Sequence, residues 1–272
     1  MNITFIGGGN MASALIGGLI KQGFKAENIR VVDVSRENLE SLQSRYQVRT
    51  FAELGSAAAA SEVIVLAVKP QQLHGVASGL APLLQQQLVI SIAAGVRAGD
   101  LSRWLGGYRQ LVRTMPNTPA MVSSGMTGLY ALPEVLPAQR EQAESVLQAV
   151  GNTLWLEEEG QMDAITAVSG SGPAYVFYFM EAMQAAAVEL GFSSQQARTL
   201  TLETFLGAAR LAAQSDEDAA TLRARVTSKG GTTERALGTM EDAGIKASIV
   251  LAIRAAAERS REMGEALGKE KS

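Results

Sequence analysis

The stretch Asn2 to Ala14, NITFIGGGNMASA, limits what this chain can become more than any other. Ile3, Phe5 and Ile6 form a short β-prone apolar run, three glycines follow at once, and a helical pattern opens at Asn10 or Met11. The spacing G-x-G-x-x-A falls on Gly7, Gly9 and Ala12. Each position answers a separate physical need. Gly7 lets the chain turn sharply, Gly9 lets backbone approach a pyrophosphate, and Ala12 keeps the helix close to the strand. The free N–H groups of the first helical turn then face a dianion along a favourable dipole. Strand, turn and helix together point to a dinucleotide; the bland alternative is a glycine-rich turn that only connects two elements.

Ile29 to Val34, IRVVDV, reads as the second strand, and Asp33 near its end stands about where an acid some 20 residues past the turn bonds an adenosine ribose. Taken alone, Asp33 argues for NAD(H). Ser35 and Arg36 follow directly, and a hydroxyl beside a guanidinium fork suits a 2′-phosphate. Their structural alternatives are an N-cap and a solvated first-turn residue of the helix that begins RENLESL. The cofactor choice stays open on these residues.

Strand and helix signals then alternate. Met11–Gln22, Arg36–Arg45, Ala57–Ser61, Gln71–Leu84, Gly99–Leu105 and Pro137–Val150 read as helices. Gln47–Thr50, the β-branched run Val63–Val68, Leu88–Ala94, Gln110–Met115, Thr127–Ala131 and Thr153–Glu157 read as strands. This is the pattern of a doubly wound sheet with ligands at the strand carboxyl ends. Three strand exits there carry small or polar residues: Ala67-Val68-Lys69-Pro70, Ala93-Ala94-Gly95, and Arg113 to Pro119 with Asn117 at its centre. Prolines that merely break strands, a solvated lysine and an Asx turn at Asn117 would explain them one at a time.

After Gly160 the character changes to long alanine- and leucine-rich helical patterns without a convincing strand. The expected architecture is therefore α/β: an N-terminal Rossmann-type dinucleotide-binding domain, 1–160, and a C-terminal all-helical domain, 161–272. The apolar stretch Ala174 to Val188 is interrupted by Glu181 and falls short of a membrane span, so it reads as a buried helix. Ser169-Gly170-Ser171-Gly172-Pro173 leads into it, with Pro173 in a first-turn position. Further on, Thr227-Ser228-Lys229-Gly230-Gly231-Thr232-Thr233 puts two glycines and four hydroxyls at a helix start, which suits a small carboxylate better than simple capping.

Composition narrows the chemistry. With 24 basic and 27 acidic residues the net charge is −3, so no basic field invites nucleic acid. There is no cysteine, which excludes disulfides, thiolate catalysis and cysteine-ligated metal, and the lone His74 leaves little for a histidine triad or a metal site. No metal and no membrane association are expected. The N-terminus enters a strand without a basic n-region, which makes the cytoplasm the expected compartment.

FIGGGNM at 5–11, AVKPQ at 67–71, RTMPNTPA at 113–120, VSGSGPAY at 168–175 and SKGGTTERAL at 228–237 resemble the pyrroline-5-carboxylate reductase family, in order and across both domains. The resemblance implies an oxidoreductase of proline biosynthesis, reducing (S)-1-pyrroline-5-carboxylate to L-proline with NADPH or NADH, NADPH being the usual preference. It assigns Ile6, Gly7, Gly8, Gly9, Asn10 and Met11 to the pyrophosphate grip. It assigns Ala67, Val68, Lys69, Pro70, Ala93, Ala94 and Gly95 to the ribose and nicotinamide end; from the residues themselves, Ser35 and Arg36 are expected at the 2′-phosphate and Asn117, at its strand exit, at the cofactor. Ser228, Gly230, Gly231, Thr232 and Thr233 would hold the substrate carboxylate, the Thr233 hydroxyl lying close to the ring nitrogen as the one catalytic candidate. The family also implies a homodimer through the helical domains, often built up into a decamer.

Two departures from the family pattern bear on this. Lys229 stands where many members have proline, and FAELG at 51–55 has no asparagine where many members carry a ribose contact. The alternatives are an NADP-dependent reductase of another cyclic imine carboxylate and a non-catalytic NADP(H) sensor. A hydroxyacid dehydrogenase of similar plan is disfavoured, because Met162 to Val168 lacks the lysine that group carries on its interdomain helix.

Overall fold

The structure is a computed structural model that describes residues 1–269. Its first elements are strand β1 (Ile3–Ile6), helix α1 (Asn10–Lys21), β2 (Ile29–Val32), α2 (Arg36–Tyr46), β3 (Arg49–Phe51), α3 (Gly55–Ala59), β4 (Val63–Leu66) and α4 (Pro70–Leu80). There follow β5 (Leu88–Ser91), α5 (Ala98–Trp104), β6 (Leu111–Met115), β7 (Gly125–Ala131), α6 (Pro137–Gln148), β8 (Gly151–Trp155) and α7 (Gln161–Ile165). From there the described chain is helical: α8 (Gly172–Glu189), α9 (Ser194–Ala213), α10 (Ala219–Arg225), α11 (Thr232–Asp242) and α12 (Ile245–Lys269).

The strands form one sheet in the order β3-β2-β1-β4-β5-β6-β7-β8. Pairing is parallel from β3 to β6, antiparallel between β6 and β7, and parallel again between β7 and β8. The expected doubly wound sheet thus ends in a reversal that the pattern of strands and helices does not reveal. Its cause is the short Pro116–Ser124 connection, which holds only a single 3₁₀ turn and is too short to carry a crossover back to the far end of the sheet.

The apolar run of β4 is buried on both faces, as expected of a central parallel strand. Val63 and Val65 join Ile3, Phe5, Leu15 and Leu19 in one core cluster, while Ile64 and Leu66 join Ile6, Leu73 and Leu80 in the other. Helices α1 and α4 therefore cover opposite faces, and the carboxyl ends of neighbouring β1 and β4 become the point where the winding reverses. Close packing of α1 requires Gly18, because a Cβ there would lie 2.3 Å from the Ala149 carbonyl oxygen.

The chain forms two compact units, one of Met1–Ser171 joined by the described residues from Ala256 onward, the other Gly172–Ala255. The contact boundary differs from the division at 160 that the end of the strands suggests. Met162 and Ala167 are buried, and Ile165 lies so close to Gly128 of β7 that a Cβ there would meet it at 2.8 Å. The last turns of α12 attach to the same unit through Ser260, whose hydroxyl donates to Asp163 at 2.6 Å.

Within that unit Arg113, 4% exposed, is paired with Glu159 at 2.7 Å, and the same carboxylate oxygen accepts the Ala98 N–H at the start of α5. Glu159→Leu strands a buried guanidinium and is expected to cost about 3 kcal/mol, near the lower end for breaking a buried pair. Arg113→Met is expected to cost less, because Glu159 is partly exposed and keeps its Ala98 donor. Denaturant melts of the two variants check the order.

The helical unit corrects one expectation. Helix α8 has no buried residue, and Phe177 and Tyr178 are 62% and 72% exposed. The apolar stretch is not buried within one chain: α9 is the main helix packed along it, and Val176, Phe177, Tyr178 and Met183 stay exposed.

Candidate active site

At the end of β1 the three glycines do three different things. Gly7 has φ +103, donates its N–H to the Val32 carbonyl at 2.8 Å, and leaves no room for a Cβ, which would stand 2.7 Å from the Ala67 carbonyl. A Cβ on Gly8 would press on Leu42 and on the Asp33 carboxylate. A Cβ on Gly9 would meet nothing within 4 Å. Internal packing thus demands the first two glycines but not the third, and the space before Gly9 is open to a ligand.

Gly9 is also the N-cap of α1 and supplies no side-chain cap, so the first amides of the helix, on Asn10 and Met11, have no partner from the capping position. An open backbone corner beside uncapped helical amides is a fitting seat for a pyrophosphate.

The crevice between the β1, β2 and β4 exits is a cleft of about 510 Å³. Ile6, Gly7, Gly9, Ser35, Ala67, Val68 and Lys69 all line it. Pro70 occupies the first turn of α4 beside them, where its missing N–H costs nothing, and Lys69 is exposed just ahead of it. Asn38, Gln72 and Val76, which no motif marks, also line the cleft. Ala52 and Leu54 line it too, in the segment that lacks the family's asparagine.

The Asp33 carboxylate, which argued for NAD(H), is already heavily engaged. Oδ2 accepts the Gly8 N–H at 2.6 Å and the Asn38 side-chain amide at 3.1 Å, and Oδ1 accepts the Ser35 N–H at 2.8 Å. A carboxylate offers about four acceptor positions, so three of them tie the glycine turn to the start of α2. The Ser35 hydroxyl accepts the Asn38 N–H at 3.3 Å and caps α2, while Arg36 is 91% exposed and pairs with Glu40 at 2.6 Å. In the chain itself, Ser35 and Arg36 occupy their structural roles. Ser35 alone of the two lines the cleft.

Four further expected cofactor contacts, Ala93, Ala94, Gly95 and Asn117, are not among the residues that line this cleft. Ala93 is buried, and Gly95, with φ +78, is covered by Leu267 and Met263 of α12, so neither lines the cleft; Ala94 between them does not line it either. Asn117 is also absent from it: its side-chain amide donates to Ser169 at 3.1 Å and its oxygen accepts the Met126 N–H at 2.9 Å. The carboxamide acts as a strut between the β6 exit, β7 and the turn before α8, and the MPNTPA and SGSG stretches meet through it.

In the helical unit the hydroxyl-rich turn leads into α11. The Gly231 N–H returns to the Ser228 carbonyl at 3.0 Å, and Gly230, φ +73, donates its N–H to Glu234 Oε2 at 2.7 Å. Both glycine amides are therefore spent on shaping the turn. Gly231 caps α11 without a side-chain bond, leaving the Thr232 and Thr233 amides free of any preceding partner. Thr233 is half-buried and Thr232 and Ser228 are exposed. This end of α11 offers two amides and three hydroxyls to an anion. Among the described residues no group of His, Asp and Glu could hold a metal ion.

Comparison with known proteins agrees with both halves. Residues 159–263 match the family model described as pyrroline-5-carboxylate reductase dimerisation, and residues 2–95 match that described as NADP oxidoreductase coenzyme F420-dependent. The pyrroline-5-carboxylate reductase of Pseudomonas aeruginosa is 48% identical over 268 residues, covering 98% of each chain. The solved structure of the enzyme from Coxiella burnetii superposes with a TM-score of 0.92 at 43% identity, over 96% of this chain and 98% of that one. That of Plasmodium falciparum pyrroline carboxylate reductase, solved with NADP bound, gives 0.87 at 30% identity, over 97% and 98%. A dinucleotide cradle at the first strand exit, an anion-ready helix start in the helical half and near full-length identity of this order lead to one conclusion: the chain belongs to the pyrroline-5-carboxylate reductase family.

Proposed function

We propose that the protein reduces (S)-1-pyrroline-5-carboxylate to L-proline with NADPH as its preferred donor, the last step of proline synthesis. The observation that carries the cofactor half is the open corner at Gly9 beside uncapped α1 amides, placed where the winding of the sheet reverses. When bound, the nicotinamide supplies the hydride that adds to the C=N carbon, while the ring nitrogen takes up the π-electron pair and ends protonated.

The chain's own residues bind and orient. Gly9, Asn10 and Met11 grip the pyrophosphate, and Ala67 to Pro70 border the ribose. Asp33 is committed mainly to Gly8, Ser35 and Asn38, which weakens its claim on a ribose 2′-hydroxyl and supports the NADPH preference. The exposed Arg36 holds Glu40 through a surface pair worth at most about 1 kcal/mol, so the guanidinium is cheaply redirected to a 2′-phosphate. The Thr232 and Thr233 amides and the Ser228 hydroxyl hold the substrate carboxylate. The Thr233 hydroxyl orients the ring nitrogen, its own pKa being poorly suited to acid catalysis. Much of the catalytic gain is positional; well-oriented pairs gain roughly 7–11 kcal/mol in the best model reactions.

The exposed apolar face of α8 supports a homodimer through the helical half, on which a decamer can be built. Light scattering of the purified protein reads the assembly. The cytoplasm is the proposed compartment; among the described residues no helix is long and apolar enough to cross a membrane.

Initial-rate oxidation of NADPH and NADH with the five-membered imine and its six-membered homologue tests the reading. Fast turnover of the five-membered ring with NADPH is the expected result. Preference for NADH would return the choice to Asp33, and preference for the six-membered ring would assign the protein to another cyclic imine.

A further inference from the structure

We propose that Glu234 is a positioning residue for substrate binding, and that it does in this chain what a proline at 229 would do covalently. The inference rests on the reading that the 228–233 turn holds the substrate carboxylate.

The bond from Gly231 N–H to the Ser228 carbonyl closes a four-residue turn whose central positions are Lys229 and Gly230. Gly230 has φ +73, while Lys229 is not among the residues with positive φ. With the bond that closes it, those signs match a type II turn, in which φ > 0 is confined to the second central residue. Type I and type II turns differ chiefly in the orientation of the peptide plane between the two central residues. Here that plane carries the Gly230 N–H, and it is the group that Glu234 Oε2 accepts at 2.7 Å. An ionised acceptor makes this bond stronger than a neutral one.

Glu234 thereby selects one of two turn forms, and the turn leads directly into Gly231 and the Thr232 and Thr233 amides. Proline at the first central position would favour the same form by fixing φ near −65°. Lysine lacks that constraint, and the Glu234 bond supplies it from outside the turn. Lys229 fills a position where proline fits, and among the described residues its N–H has no bond for proline to remove.

Steady-state kinetics of the full-length protein test this. Glu234→Ala is expected to raise KM for pyrroline-5-carboxylate about tenfold, with kcat and KM for NADPH within about twofold of wild type. Glu234→Gln keeps an acceptor oxygen and should bind substrate nearly as the parent does. Adding Lys229→Pro to Glu234→Ala should restore most of the lost affinity. Unchanged KM in Glu234→Ala, whatever its melting temperature, overturns the inference, and so does a loss that proline fails to repair.

Gly231→Ala separates this from the underlying reading. Its Cβ would stand 2.6 Å from Ser228 Oγ and 3.0 Å from the Ser228 carbonyl oxygen, displacing the hydroxyl assigned to the carboxylate and crowding the turn. Raised KM there, with none in Glu234→Ala, removes only the role of Glu234. No change in either removes the turn as the carboxylate site, and the inference with it.

Discussion

Gly9→Asp is expected to leave the melting temperature unchanged or slightly raised and to raise KM for NADPH at least a hundredfold. The two effects come from one position and have separate causes. A Cβ at Gly9 meets nothing within 4 Å, the backbone there (φ −73) is open to any L-residue, and aspartate is a better N-cap than glycine by a few tenths of a kcal/mol. The α1 start gains a cap and a favourable charge for its dipole. The same carboxylate occupies the amides a pyrophosphate needs and sets a negative charge against two phosphates. Losing a cluster of charge-assisted bonds, each worth about 1.5–3 kcal/mol, exceeds the small gain in the fold. Gly7→Ala is the contrasting variant. Its Cβ collides with backbone at Ala67 and its φ of +103 disfavours any side chain, so stability and binding fall together. Thermal melts beside NADPH titrations distinguish the two, and normal NADPH binding by Gly9→Asp would remove the cradle from the site.

Thr233→Ala is expected to lower kcat/KM for pyrroline-5-carboxylate by about 10- to 100-fold, the loss of one hydrogen bond to an ionic partner. Thr233 is the second residue of α11 and half-buried, and among the described residues its hydroxyl neither caps the helix nor bonds the preceding turn. Alanine there removes no bond of the fold and has the better helix propensity, so the melting temperature should hold. A purely structural role predicts the reverse pattern, lower stability with intact kinetics. Thr233→Ser keeps the hydroxyl and should recover most of the rate. Failure of serine to do so would assign the effect to the methyl group and end the proposed contact with the ring nitrogen.

These two positions also mark how far the sequence could be read. Gly7, Gly9 and Ala12 announce a βα turn because a positive φ, an open corner and a tight helix leave few alternatives to glycine and alanine. The runs IRVVDV, VIVLAV and LVISIAA announce buried parallel strands because only burial on both faces tolerates unbroken apolar residues. The start of α11 was equally legible as a turn and helix opening, since glycines and hydroxyls cluster just before it.

What stayed hidden was the use each polar group already had. Asp33 looked like a free ribose acceptor, but its oxygens are drawn to Gly8, Ser35 and Asn38, donors that only the fold brings together. Asn117 stood at a promising strand exit, yet its amide is spent on Ser169 and Met126. Gly95 stood at another, and the C-terminal turns of α12 cover it. Asn38 was absent from the expected cleft, although a polar residue three positions after a serine N-cap is a signal for contacts at a helix start.

The sequence by itself determined most of the elements and the two glycine-rich helix starts, because periodicity, glycine placement and backbone amides act over a few residues. The tertiary structure alone decided that β7 runs against β6, that Asp33 and Asn117 serve the protein before any ligand, and that Met263 and Leu267 of α12 cover Gly95. Each of these depends on where distant segments come to rest, and a polar group's remaining capacity is known only once its nearest donors and acceptors are in place.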